Sequence, residues 1–275
     1  DEGSPSSGSS AVAAMVGLGL GMVLYMFLMI YGAMVMQSVI EEKSSRVLEV
    51  VVSSVRPFEL MMGKIFGVAS VAVVQVLIWA VLVCGAGAAV MPHVLPDGAM
   101  EAAAALQQGG GAATAAAGDF DPETLGAIAL ATDVSYLAML FGYLLLFVVG
   151  GYLLYSAMFA AVGSAVDNAQ DAAQLQTPIM IPIILAVIVE MSVLNDPNSP
   201  LAFWFSLIPF TSPVVMMARI PYGIPTWEIV LSLVLLYAAF VGMVWLSAKI
   251  YRVGIFMYGK KPTLREMFRW IRYKY

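Results

Sequence analysis

The sequence predicts an all-α protein, a polytopic transmembrane helical bundle with five spans and a broken re-entrant helical segment at the outer face. The 275 residues are 61% hydrophobic and only 11% charged, whereas a soluble domain carries about 25% charged residues. Because no soluble core would bury so much apolar surface, lipid must solvate much of it. Five apolar runs are each long enough to cross a bilayer, which takes about 20 residues. Of the 13 basic residues, finally, all but one lie in two regions of the chain.

The apolar runs define the spans, and the basic residues define their orientation. Every Lys and Arg except Arg219 lies in or beside the first connection, or at or after the end of the last span. Basic connections stay in the cytoplasm, and an even number of spans separates the two regions. We therefore expect an outside N-terminus, a cytoplasmic C-terminus and a multi-pass place in the cell membrane, taken to be a bacterial inner membrane. The predicted spans are residues 11–40, 61–90, 133–164, 173–194 and 227–248.

The other connections differ in composition. Residues 1–10 are rich in Ser and Gly and predict an outer linker, and because residue 1 is Asp rather than Met we expect an upstream part. Residues 91–132 predict an outer loop, partly of low complexity, in which Asp121-Pro122-Glu123 is typical of a helix start. Residues 165–172 predict an inner turn. Residues 249–275 alternate basic and aromatic side chains, which favours a tail on the anionic inner leaflet over a nucleic-acid site.

Residues 195–226 are apolar enough to be taken for a sixth span, but they are divided into short pieces by Pro200, Pro209, Pro213, Pro221 and Pro225. A sixth crossing would also place the two basic regions on opposite sides of the membrane. We therefore predict a pair of short re-entrant or interfacial helices at the outer face, where broken backbone is tolerated against protein or water. Pro209, Pro213 and Arg219 of this segment are candidate outer-gate residues.

Two features lie within the predicted spans. Glu190 is an acidic residue well inside an apolar run, and an intramembrane ionisable group is by default a functional candidate. A place on a substrate or ion pathway, access to water at the outer boundary, a neutral protonated state and a structural pair with Arg219 all stay open for it. Gly17-x-x-x-Gly21 and Gly63-x-x-x-Gly67 have the spacing that lets helices approach closely, either within this chain or at a dimer seam.

Residues 41–60 form a charged, amphipathic connection between the first two spans. As a helix they carry five apolar residues on one face and polar residues of both signs on the other, and Pro57 ends that helix at about Arg56. A helix lying on headgroups usually has a polar face rich in Lys and Arg, whereas mixed charge suits a protein partner. Both interpretations stay open from the residues. The apolar face consists of Val47, Leu48, Val51, Val52 and Val55.

No catalytic, metal or cofactor site is predicted. The single cysteine, Cys84, excludes an internal disulfide and a multi-cysteine metal site, and His93 has no nearby ligand in the sequence. The stretch Gly254-x-x-x-x-Gly259-Lys260 mimics a phosphate-binding loop, but it follows a span instead of a strand, and Lys261 stands where a Ser or Thr would bind magnesium. Any work derived from ATP must then come from another chain.

Two stretches carry a family resemblance: MVMQSVIEEKSSRVLEVVVSSVRPFELMMGKIFG, Met34 to Gly67, and FWFSLIPFTSPVVMMARIPYGIP, Phe203 to Pro225. They resemble the membrane, or permease, subunits of type-2 ATP-binding-cassette (ABC) exporters, most closely the sodium-exporter-like branch, and the resemblance covers nearly the whole chain. Members of that branch normally have one further span and a large outer domain before the next span. This sequence has neither, so its Ser- and Gly-rich start resembles the end of that domain's linker.

The resemblance implies a function for the first connection. In the family a coupling helix docks on a separate ATPase subunit, and here that role would fall on residues 41–60. The resemblance also implies a second permease copy in a homo- or heterodimer, ATP bound only by the partner subunit, and ATP-driven efflux of a sodium ion or a drug-like molecule. An ATP-independent secondary transporter or channel and a membrane-anchored assembly factor are the alternatives. The implied ATPase contacts are Glu41, Glu42, Lys43, Arg46 and Glu49.

Overall fold

The computed structural model confirms the predicted all-α fold class and describes residues 7–45, 54–94, 98–107, 122–257, 259 and 263–271. Of the helices it describes, α1, α2, α5, α6 and α9 are long and apolar enough to cross a membrane. The helices are α1 (Ser7–Ser44), α2 (Pro57–Val94), α3 (Ala99–Gln107), α4 (Pro122–Thr132), α5 (Val134–Ala165), α6 (Ala169–Val193), α7 (Pro200–Leu207), α8 (Ser212–Arg219), α9 (Thr226–Gly254) and α10 (Leu264–Trp270).

Short polar side chains fix where several of these helices begin. The Asp133 carboxylate accepts the backbone N–H groups of Ser135 and Tyr136 at 2.8 and 3.2 Å, which caps α5. The Asn168 side chain accepts the N–H of Asp171 at 2.8 Å and caps α6. Each cap satisfies donors that the first helical turn leaves without a partner. The Asn168 cap therefore ends the turn between α5 and α6, and α6 begins at Ala169, within a few residues of the predicted start at residue 173.

Helix α5 is the centre of the bundle. It packs along α1 and α9 and also contacts α2, α6 and α8, and its residues from Gly150 to Ala157 are all buried. Close approach depends on the absence of side chains at two positions. A Cβ on Gly150 would lie 2.8 Å from Leu236 of α9, and one on Gly151 would lie 3.0 Å from Pro213 at the start of α8. The paired glycines thus let two helices pack directly on α5.

The segment between α6 and α9 forms the predicted pair of short helices, α7 and α8, followed by a 3-10 turn at Ile220–Tyr222. Pro200 stands at the start of α7, where a proline fits without loss of a hydrogen bond. Gly223 then reverses the chain at a φ of 73°, a conformation that glycine adopts without strain. All eight residues of α8 are buried, so this short helix belongs to the core of the bundle.

The predicted outer loop, residues 91–132, contains more helix than its composition indicates. Helix α2 extends to Val94, and α3 occupies the first part of the Ala- and Gly-rich stretch. Helix α4 begins at Pro122 as predicted, while Asp121, the predicted cap, lies outside the described residues. Helices α3 and α4 pack on each other through Ala99 and Ile128, and α4 also contacts α1.

Candidate functional site

The ammonium group of Lys43 joins the ends of three long helices, in a contact set that we call the Lys43 junction. Lys43 lies in the last turn of α1 and is fully buried. Its Nζ donates to the carbonyl oxygens of Ser164 at 2.8 Å and Gly254 at 2.9 Å, and it forms an ion pair with the Asp167 carboxylate at 3.0 Å. The two carbonyls belong to the last turns of α5 and α9, where backbone acceptors lack helical partners and the helix dipole favours a cation.

Close packing and a second carboxylate contact complete the Lys43 junction. A Cβ on Gly254 would lie 2.7 Å from the Ser164 hydroxyl and 2.8 Å from the Ser164 carbonyl oxygen, so only glycine lets α9 approach α5 this closely. Asp167 also accepts the backbone N–H of Gly259 at 2.6 Å, which ties the chain beyond α9 to the turn between α5 and α6. One lysine and one aspartate therefore connect the ends of α1, α5 and α9, the turn between α5 and α6, and the chain beyond α9.

A second lysine anchors the other side of the connection between α1 and α2. Lys64, in the second turn of α2, forms an ion pair with Glu42 at 2.6 Å. Its Nζ also donates to the carbonyl oxygen and the hydroxyl of Ser38 at 3.1 and 3.0 Å. The end of α1 is thus fixed both to α2, through Lys64, and to α5 and α9, through Lys43.

The structure distributes the predicted ATPase contacts between different environments. Glu41 is exposed and open to a partner, whereas Glu42 is engaged with Lys64. Lys43 is buried and engaged within the chain, so it is not a surface residue in this structure. Arg46 and Glu49, with the apolar face predicted for residues 47–52, lie outside the described residues. The inward position of Lys43 was not predictable from its spacing, which suits the charged face equally well.

Arg219, one of the candidate outer-gate residues, forms a second polar cluster at the opposite end of α9, which we call the Arg219 cluster. The buried Arg219 guanidinium pairs with Glu228 at 2.9 Å and donates to the Ser206 hydroxyl at 2.7 Å and the Pro197 carbonyl at 2.8 Å. The ring of Phe203 lies 6.0 Å from the guanidinium carbon. Glu228 belongs to the first turn of α9, so Arg219 ties α7, α8 and α9 together.

The pairing of Glu190 with Arg219, which the sequence left open, is wrong, because Arg219 is engaged with Glu228. Glu190 is fully buried in α6, and its carboxylate has no hydrogen-bond partner among the described residues. It packs on Gly21 of α1, where a Cβ would collide with the carboxylate. The Gly17-x-x-x-Gly21 stripe therefore accommodates α6 and α8 of the same chain, whereas Gly63 and Gly67 face open space.

The prolines of the outer segment shape its turns. Pro209 lies in the turn between α7 and α8, and Pro213 occupies the start of α8, buried against Gly151 of α5. The Tyr155 hydroxyl of α5 donates to the carbonyl oxygen of Phe210 at 2.5 Å and holds that turn in place. Within the described ranges, no group of three or more His, Cys, Asp or Glu side chains is arranged to hold a metal ion.

The fold and the two clusters define a multi-pass helical membrane protein with a polar cluster at each end of α9. Residues 4–249 match the model of the family described as "ABC-2 family transporter protein", and the chain belongs to that family. It is 27% identical over 246 residues to the "Uncharacterized protein YhaP" of Bacillus subtilis, over 89% of this chain and 52% of that protein. It is also 27% identical over 254 residues to the "Uncharacterized protein MJ1024" of Methanocaldococcus jannaschii, over 92% of this chain and 52% of that protein. The chain thus spans about half the length of these relatives, and no solved structure matches it.

Proposed function

We propose that this chain is the permease part of an ATP-driven exporter of the sodium-exporter-like branch, with a partner ATPase docked on residues 41–60. The ATPase binds the nucleotide, and this chain contributes the membrane pathway together with a second permease copy. The observation that carries the proposal is the anchoring of the segment between α1 and α2. Lys43 and Lys64 fix its base to α2, α5 and α9 by two ion pairs, at 3.0 and 2.6 Å, and two hydrogen bonds to carbonyl oxygens, at 2.8 and 2.9 Å. A partner that moves this segment must move those helices too.

Helix α9 provides the path by which such a movement reaches the opposite end of the bundle. At one end its Gly254 carbonyl accepts from Lys43, and at the other its Glu228 pairs with Arg219. The 29 residues of α9 are a continuous helix without proline, and a helix of that length is about 43 Å long. A shift or tilt imposed at the Lys43 junction therefore displaces the Arg219 cluster, which holds α7 and α8.

The segment of α7 and α8, with Pro209, Pro213 and Arg219, is proposed as the outer gate. Both helices are short and joined by a tight turn, so the pair can move as a unit when α9 moves. Glu190 is proposed as a pathway residue, because its buried carboxylate faces α1 without a hydrogen-bond partner in the described part of the chain. Burial of an ionisable group without a partner destabilises the fold. A step that brings the Glu190 carboxylate to water would supply it with hydrogen-bond partners.

A docking experiment tests the proposal directly. Glu41 is exposed and has no ion pair within the described residues, so Glu41→Lys changes the surface charge without breaking an internal contact. We expect Glu41→Lys combined with Arg46→Glu to reduce co-purification of the ATPase at least tenfold. The matched control is Glu101→Lys, another exposed glutamate on a different helix, which should leave co-purification unchanged. Equal recovery of the ATPase with the unsubstituted chain, the double variant and the Glu101→Lys control would contradict the docking role.

A transport assay separates the exporter from its alternatives. Vesicles that contain the complete transporter and its ATPase should accumulate substrate only when ATP is supplied on the ATPase side. Transport without ATP would favour the secondary transporter or channel. ATPase binding without transport of any ion or drug-like molecule would favour the assembly factor.

A further inference from the structure

A groove at the Lys43 end of the bundle contains two arginines whose side chains have no partner among the residues that the structure describes. The groove has a volume of about 630 Å³ and lies between the start of α2 and the end of α9. The guanidinium groups of Arg56 and Arg252 make no hydrogen bond or ion pair among the described residues, whereas Lys43, Lys64 and Arg219 are all engaged. The described residues that line it are Arg56, Pro57, Phe58, Glu59, Arg252 and Phe256.

Arg252 belongs to a stripe of aromatic and basic side chains along one face of α9. Trp245, Lys249 and Arg252 are spaced at i, i+4 and i+7, which places them on the same side of a helix, and Phe256 follows just beyond the helix end. Trp245 and Phe256 are each 60% exposed. The Lys249 ammonium lies 3.8 Å from the centroid of the Trp245 ring. Exposed aromatic rings interleaved with cations are typical of the interface between lipid and water.

The length of α9 sets the depth at which this stripe lies. Its 29 residues span about 43 Å, and a bilayer with its headgroups is about 40–45 Å thick. A centred α9 therefore places its last turn, with Arg252, among the headgroups instead of beyond them. Arg56 precedes the first residue of α2 and lines the same groove, so it lies at the same level. A protein partner docks on the aqueous side, beyond the helix ends. The groove lies at the level of the headgroups, which a lipid headgroup occupies.

We propose that the groove binds the headgroup of an anionic phospholipid, with Arg56 and Arg252 on its phosphate and the rings of Phe58 and Phe256 against the start of its acyl chains. Among the described lining residues, two arginines and Glu59 give a net charge of +1, which complements a single phosphodiester. The planar guanidinium fork binds phosphate oxygens in pairs. Glu59 accepts the backbone N–H of Arg56 at 3.4 Å and so caps α2 beside the site. A lipid held here contacts both α2 and α9.

The test uses the complete transporter complex with phosphatidylglycerol and phosphatidylcholine, and counts retained lipids by native mass spectrometry. Arg56→Gln combined with Arg252→Gln is compared with Arg265→Gln combined with Arg269→Gln, which removes two exposed arginines from α10. We expect the groove variant to weaken phosphatidylglycerol binding about 25-fold, about fivefold for each arginine. The α10 variant, which removes two basic side chains of the tail predicted to lie on the anionic leaflet, should weaken it by a clearly smaller factor, because Arg265 and Arg269 do not line the groove. Arg56→Lys combined with Arg252→Lys keeps the charge and should lose only part of the binding, because lysine lacks the bidentate fork.

Three outcomes would overturn the proposal. Unchanged phosphatidylglycerol binding by the groove variant would show that the two arginines do not bind a lipid. Equal weakening by the α10 variant would show general charge attraction in place of a site. Displacement of phosphatidylglycerol by 10 mM inorganic phosphate would identify a site for free phosphate. If the groove variant keeps the lipid but loses the ATPase, the groove is a protein docking surface; retention of the ATPase with loss of lipid separates this proposal from the proposed function.

Discussion

Substitution of Gly17 by alanine should drive α1 away from α8, and the structure supplies both the magnitude and a control. A Cβ on Gly17 would collide with the carbonyl oxygen of Ala218 and lie 3.2 Å from its carbonyl carbon and 3.3 Å from its Cα. These are backbone atoms of a fully buried helix, so no side chain can rotate to make room. Ordinary carbon contacts begin at about 3.5 Å. The two helices must therefore separate, and overpacking of this kind costs about 1–3 kcal/mol.

The control is Gly19→Ala in the same helix, two residues further on, where a Cβ meets nothing within 4 Å. Both substitutions gain the same intrinsic helix propensity, about 0.8–1.0 kcal/mol, so the difference between the two variants isolates the clash. At about 2–4 °C per kcal/mol for a chain of this size, Gly17→Ala should unfold several degrees below Gly19→Ala. Thermal unfolding of the two purified variants in the same detergent, followed by intrinsic fluorescence, measures this difference. Equal midpoints would refute the close contact between α1 and α8.

Two further predictions concern the buried cations. Arg219→Met leaves Glu228 buried without its partner, which should cost about 3–5 kcal/mol, and the same thermal assay should recover most of that loss in the double variant Arg219→Met with Glu228→Met; no recovery would contradict the pairing. Lys43→Met should leave ATPase co-purification intact but reduce substrate efflux per ATP hydrolysed at least tenfold, because the segment loses its contacts with α5 and α9. The control is Lys249→Met, which removes a lysine stacked on Trp245. Equal efflux per ATP hydrolysed in both variants would show that Lys43 does not transmit movement from the ATPase.

The fold class was predictable because the bilayer leaves few alternatives. A run of about 20 apolar residues without internal charge has to be a helix in lipid, since only a helix satisfies its own backbone. The five long helices follow from that rule. The broken segment was identified from the prolines of residues 195–226, because proline interrupts the hydrogen bonds of a helix. The structural contribution of α3 was less predictable, since an Ala- and Gly-rich stretch suits both a helix and a loop.

The partners of the charged residues were not predictable from sequence. Lys43 pairs with a residue more than 100 positions away, and Arg219 pairs with a residue at the start of the next helix. No local spacing identifies the distant partner. The sequence offered Glu190 as a partner for Arg219 on the basis of depth in the membrane alone. Glu228 is nearer because α8 runs directly into α9 through a short turn, and that geometry exists only after the helices pack.

The buried charges lie at the positions where the proposed movement has to be passed from one helix to another. Apolar contacts along α1, α5 and α9 are non-directional, so a shift of one helix against another exchanges one set of these contacts for another, except at close glycine contacts such as that of Gly150 with Leu236. The charged contacts are directional and strongly destabilising to break singly, and among the described long helices they concentrate at the two ends of α9. Under the proposed function, relative motion is therefore restricted at these two points, and a displacement applied at the Lys43 junction is passed along α9 to the Arg219 cluster instead of being absorbed in the middle of the bundle.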